Sequence, residues 1–114
     1  SKSQILDYGT DVRIVPPALW RAVAARDQGC RVAGCHRPVA WCEAHHVQPV
    51  EHGGATVITN LVLVCSKHHH LLHKPGWTST LDTDATFHVT GPDGQTRTTH
   101  PPGLRDTLWP PGAD

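Results

Sequence analysis

Imidazole and thiol side chains crowd the middle of this chain, as Ala44-His45-His46, then Asn60, then Cys65-x2-His68-His69-x3-His73. Neutral imidazole is a metal ligand and also the side chain best placed to move protons near neutral pH. So much of it, interleaved with cysteine, points to metal chemistry rather than to packing. Ligand type divides the group in two. Cys30-x4-Cys35 together with Cys65-x2-His68 supplies three thiolates and one imidazole, the closed tetrahedral set that a structural zinc prefers. The four cysteines, Cys42 included, could instead pair as disulfides, but a disulfide scaffold of this size carries denser cysteine and less histidine. His45, His69 and His73 form a second, all-nitrogen set that leaves positions open for water or phosphate, as a catalytic ion requires. Cys42 has no partner at motif spacing and is expected to be a buried core thiol.

These residues need elements to hold them. Residues 39–46 suit a short strand, and the apolar run 61–64 is strongly β in composition. Between them Pro49 and Gly53-Gly54 call for a loop with unusual backbone angles. Residues 66–73 contain no breaker before Pro75, so a short helix is predicted with Ser66 as N-cap. On that helix His69 and His73 are four apart and share a face, while His70 points elsewhere. A helix opened by Pro16-Pro17, with Leu19, Ala22 and Val23 on its apolar side and Gly29 as its stop, precedes the region and carries Arg21 and Arg26. After Pro75-Gly76 residues 77–81, 86–90 and 95–99 read as strands, the last two joined by a turn at 91–94.

His45-His46, Asn60 and His69, framed by two zinc-binding half-sites, resemble the HNH motif of the ββα-metal nucleases. The wider string is similar to HNH domains at the C-terminus of bacterial proteins with an uncharacterised helical N-terminal region. It runs through Cys30-Arg31-Val32-Ala33-Gly34-Cys35, Trp41-Cys42-Glu43-Ala44-His45-His46, Gly53-Gly54, Asn60-Leu61-Val62-Leu63-Val64-Cys65 and His68-His69-His70-Leu71-Leu72-His73. The resemblance covers about residues 13–80. It implies a small α+β, zinc-stabilised ββα-metal fold with an N-terminal helix and a C-terminal β-hairpin. The implied activity is that of a metal-dependent DNA endonuclease, an HNH phosphodiester hydrolase that nicks or cuts DNA, and the implied partner is double-stranded DNA. In it His46 matches the general base, Asn60 the residue bracing the loop that orients the base, and His69 a ligand of the catalytic ion. His45 sits where the family has an Asp or His ligand, and His73 matches the extra histidine of the colicin-like branch. Where many members have Cys-x2-Cys in the second zinc half-site, this chain has Cys65-x2-His68, a conservative departure because zinc accepts either.

The implied cofactors are a structural Zn²⁺ and a catalytic divalent ion, Mg²⁺, Mn²⁺, Ni²⁺ or Zn²⁺. The competing reading is a zinc-stabilised module that binds nucleic acid without cutting it. Formal net charge is zero, which alone argues against an electrostatic nucleic-acid binder. Its distribution argues otherwise. Between Arg13 and Lys74 seven basic residues face three acids, a net of +4 around the histidines. Arg21, Arg26, Arg37, Lys67 and Lys74 are the expected DNA contacts. His52, beside Gly53-Gly54, is a weaker candidate for phosphate.

At 114 residues, with few aromatics, ten Gly and ten Pro, one small domain with a thin core is expected, stapled by metal. Its parts are a lead-in at 1–15, the nuclease core at 16–80, a β-hairpin extension at 81–100 and a Pro/Gly-rich tail at 101–114. No apolar run reaches membrane-spanning length and no leader opens the chain, so a cytoplasmic location is expected. Methionine is absent, as expected of a piece of a longer protein. Oligomeric state is open, although double-strand cutting by one small site favours a dimer.

Overall fold

The computed structural model describes residues 14–102, so the lead-in before residue 14 and the tail beyond residue 102 lie outside the described residues. Helix α1 is Pro17–Asp27, with Pro17 in its first turn where a missing N–H costs nothing. Leu19 and Val23, four apart, are fully buried in the core against the strand 61–65. The helix ends one residue before the predicted stop: Gln28 takes the left-handed conformation (φ 60°) and donates its N–H to Ala24 O. Gly29 is needed for a different reason. A Cβ there would stand 2.8 Å from Arg37 O, the carbonyl that accepts from Cys30 N–H at 3.0 Å. This close approach closes the loop that carries Cys30 and Cys35.

Strands β1 (Cys42–His46) and β2 (Leu61–Cys65) pair antiparallel with Cys42 opposite Cys65 and His46 opposite Leu61. The predicted strand at 39–46 is therefore shorter, because residues 39–41 form a 3₁₀ turn closed by Trp41 N–H on Pro38 O. Every residue of β2 is buried, as expected of a strand covered on both faces. Helix α2, Ser66–Leu72, follows without a linker. Ser66 is not its cap: the extended Cys65 occupies that position, no side chain caps the helix, and Ser66 is its first residue. Strand, loop, strand and helix form the expected ββα unit.

Strands β3 (Thr78–Leu81), β4 (Phe87–Thr90) and β5 (Thr96–Thr99) make a separate three-stranded antiparallel sheet in that order. Strands β4 and β5 form the expected C-terminal hairpin, and β3 extends it to a meander. Phe87 and Val89, alternating on β4, join the core.

The elements are tied by a buried charge network that composition does not reveal. Asp27 at the end of α1 accepts from Arg26 (2.7 and 2.8 Å), from Arg31 (2.7 Å) and from Leu63 N–H in β2 (3.0 Å). Arg31 also donates to Ala85 O (2.6 Å) and Thr99 O (2.9 Å), so its guanidinium fastens the meander to the core. Burial lowers the pKa of Arg31, and Asp27 counters it. Among the described residues no helix is long and apolar enough to cross a membrane.

Candidate metal centres

The ββα unit brings together both predicted ligand sets. One candidate ligand atom from each of Cys30, Cys35, Cys65 and His68 lies within 4.8 Å of the others. Cys35 Sγ is 4.0 Å from Cys65 Sγ, and His68 Nδ1 is 3.2 Å from Cys65 Sγ and 3.7 Å from Cys30 Sγ. Thiolates around zinc at about 2.3 Å stand about 3.8 Å apart, so the spacing fits chelation. All four cysteines are free thiols. Burial raises the Cys65 pKa, but hydrogen bonds from the His68 backbone and the Arg37 guanidinium outweigh it and hold it below the usual value. Arg37 Nη1 lies 3.3 Å from Cys65 Sγ and 3.8 Å from Cys35 Sγ. The Cys30 thiol is pushed up to about 12, chiefly by burial and against backbone hydrogen bonds from Cys65 and Val32. The donor set suits a structural zinc and leaves no position for substrate.

The imidazoles of His45, His69 and His73 converge at ring-centroid separations of 5.1, 5.3 and 5.0 Å. Their candidate ligand nitrogens also lie within 4.8 Å of one another. His45 is 4% exposed and its Nδ1 is buried without a hydrogen-bond partner. Burying a polar nitrogen unpaired costs about 1–3 kcal/mol, so the orphan favours a set of groups arranged for a cation. Burial first, then the neighbouring His69, His73 and His46, push its pKa down to about 3. That keeps the ring in the neutral, ligating form. Strand alternation accounts for its neighbour. His46 points to the other side of β1 and its Nε2 lies 2.9 Å from Thr56 Oγ1. Both histidines, with His69, His73 and Glu51, line a pocket of about 240 Å³.

Glu43 is the functional neighbour that sequence reasoning missed. Its Oε1 accepts from His69 Nδ1 at 2.9 Å, which leaves the other ring nitrogen for an ion. The signal was available: Glu43 and His45 are two apart on one strand, hence on one face. Asn60 spans its loop, with Nδ2 donating to Gln48 O (3.0 Å) and Ala55 O (2.9 Å) and Oδ1 accepting from Gln48 N–H (2.8 Å). Gly54 sits inside this loop, where a Cβ would collide with Gln48 O.

The expected DNA contacts separate. Arg21, Lys67 and Lys74 are exposed. Arg26 is committed instead to Asp27 and to the carbonyls of Ile58 (3.0 Å) and Leu61 (2.6 Å), and Arg37 is turned onto the zinc-site sulfurs. His52 and His70 are exposed. Cys42 is buried, its thiol pushed up to about 11, mainly by burial, and it donates to Pro38 O at 3.3 Å.

Residues 30–74 match the HNH endonuclease family. Two uncharacterized proteins of Mycobacterium tuberculosis, Rv3776 and Rv2100, are each 42% identical to the chain over 82 residues, 69% of its length. A third, Rv1128c of the same organism, is 39% identical over 67 residues, or 59% of the chain. The chain spans only 15%, 14% and 15% of these relatives respectively. No solved structure matches it significantly.

Proposed function

We propose that the chain is the nuclease portion of a longer protein that hydrolyses phosphodiester bonds in DNA, with His46 as general base. The observation that carries this reading is the 240 Å³ pocket, in which three imidazoles converge while a fourth, His46, lines the same pocket with its Nε2 on Thr56 Oγ1. His45, His69 and His73 would hold a divalent ion, which would supply Lewis-acid chemistry for phosphodiester hydrolysis. An all-imidazole set suits Zn²⁺ or Ni²⁺ better than the oxygen-seeking Mg²⁺.

The protein's own residues do the rest. In the tautomer whose Nε2–H donates to Thr56 Oγ1, Nδ1 of His46 carries the lone pair and takes the proton of the attacking water. General-base help of this kind is worth on the order of 10²–10⁴ in rate. Asn60 fixes the loop that carries Thr56 and so fixes the base. Arg21, Lys67 and Lys74 attract the phosphate backbone, a role from which Arg26 and Arg37 are withdrawn by their internal bonds. Cys30, Cys35, Cys65 and His68 would hold a structural zinc, which would fasten α2 to the loop after α1.

The test is plasmid nicking by purified protein with Mg²⁺, Mn²⁺, Ni²⁺ or Zn²⁺, beside His46→Ala. Metal-dependent nicking reduced about 10²-fold or more in the variant is expected. Equal nicking by both proteins refutes the assigned base, and DNA binding without cleavage by either leaves a binding module.

A further inference from the structure

A cleft of about 520 Å³ opens beside the zinc cluster, lined by His36, Arg37, Pro38, Trp41 and His68 among others. Trp41 is 63% exposed and, with Ile14, is one of two exposed large apolar side chains among the described residues. Its backbone is not loose. Trp41 N–H donates to Pro38 O at 2.9 Å, the Cys42 thiol donates to the same carbonyl at 3.3 Å, and Cys42 begins β1. A large indole is therefore displayed to solvent on a fixed turn, at the edge of a cleft.

We propose that this cleft receives an unpaired nucleobase of the DNA being cut, stacked on the Trp41 indole. The inference rests on the nuclease reading and narrows its substrate to DNA with unpaired bases near the cut. Charge decides what the cleft can take. No carboxylate lines it, and the Arg37 guanidinium is turned to the Cys65 and Cys35 sulfurs, where it offsets thiolate charge. The floor is thus close to neutral, which suits an uncharged aromatic base better than a phosphate. Phosphates flanking that base would meet the exposed His36 and Lys67. Position decides where the base lies. Four residues of near-extended chain separate Trp41 from His45, roughly 13 Å at about 3.3 Å each. This equals about four nucleotides of duplex rise. A base inside a duplex cannot offer its face to an indole, so the partner is a bulged, overhanging or flap nucleotide.

The experiment compares the full chain and its Trp41→Ala and Trp41→Phe variants, all in a His46→Ala background so that DNA stays intact. Fluorescence anisotropy reads binding to a labelled duplex with a bulge and to an unbroken duplex of equal length. The bulged DNA is expected to bind about tenfold tighter and to quench tryptophan emission. Trp41→Ala is expected to bring the two affinities level while leaving duplex binding intact, and Trp41→Phe to restore most of the difference. An unchanged preference in Trp41→Ala, or equal binding of both DNAs by the parent, overturns the cleft assignment and leaves the nuclease reading standing. Absence of binding to any DNA removes both. An unchanged preference accompanied by a dimer-to-monomer shift in Trp41→Ala assigns the indole to contact between copies and likewise overturns the proposal.

Discussion

Replacing Glu43 by alanine removes the carboxylate that accepts from His69 Nδ1 at 2.9 Å while leaving every proposed ion ligand in place. Three consequences follow for His69. Its ring loses the bond that fixes its orientation, the Nδ1–H tautomer loses its preference, and the other nitrogen becomes less basic towards an ion. Losses of this kind reduce metal affinity by about 10–100-fold. The Glu43 side chain is 51% exposed, so water replaces part of what is lost and the lower end applies. We expect a weakening of about tenfold, or about 1.4 kcal/mol. Titration of Ni²⁺ into protein already carrying zinc at its cysteine site, followed by calorimetry, reads this directly. Glu43→Gln separates orientation from charge, since its amide oxygen can still accept from His69 Nδ1. It should fall between wild type and alanine. Binding of Ni²⁺ by Glu43→Ala with wild-type affinity would show that α2 alone orients His69, and would refute the argument.

Two further outcomes concern stability. Asp27→Ala strands two guanidinium groups, those of Arg26 and Arg31, and the N–H of Leu63, in a site where the Asp27 side chain has no exposure. The loss should be about 3–5 kcal/mol by urea unfolding of the zinc-loaded protein, a large share of a small domain's total, and a loss below about 1 kcal/mol would show that solvent already reaches the network. Removal of zinc by a strong chelator should abolish the near-ultraviolet dichroism of the core, because the cysteine site joins the loop after α1 to β2 and α2. Retention of that signal in metal-free protein would mean that the apolar core suffices alone.

The ligand sets were legible because metal chemistry restricts residue type and spacing tightly. Three sulfurs with one imidazole, and three imidazoles of which two are at helical spacing, are patterns that packing does not require. The ββα order was legible from the apolar run of β2 and the breakers on either side of it. What stayed hidden involves partners distant in sequence. Arg26 looks like any solvated cation on a helix until Ile58 and Leu61 present their carbonyls to it, 32 and 35 residues further on. Arg31 likewise meets Thr99, 68 residues away. Arg37 was counted as a phosphate contact because nothing local shows that its guanidinium lies over sulfur. The Ser66 cap failed for a related reason: a strand running straight into a helix makes its own last residue the cap, and here that residue is also a zinc-site cysteine.

In the proposed mechanism neighbouring histidines do different work because two periodicities meet at one place. On β1 successive side chains point to opposite faces, which sends His45 to the buried ion set and His46 to Thr56. On α2 successive side chains turn by about 100°, which gives His68 to the sulfurs and His69 to His45 and His73. The antiparallel register brings these two elements into contact, since β2 pairs with β1 and leads directly into α2. A single inserted residue within β1 would exchange the places of the proposed ligand and the proposed base, and one within the first turn of α2 would carry His69 away from its set. Neither change removes any of the histidines or cysteines. The two-site arrangement is therefore a property of register, and it depends on Asn60, Gly54 and the Cys30–Arg37 closure holding the flanking loops at fixed length.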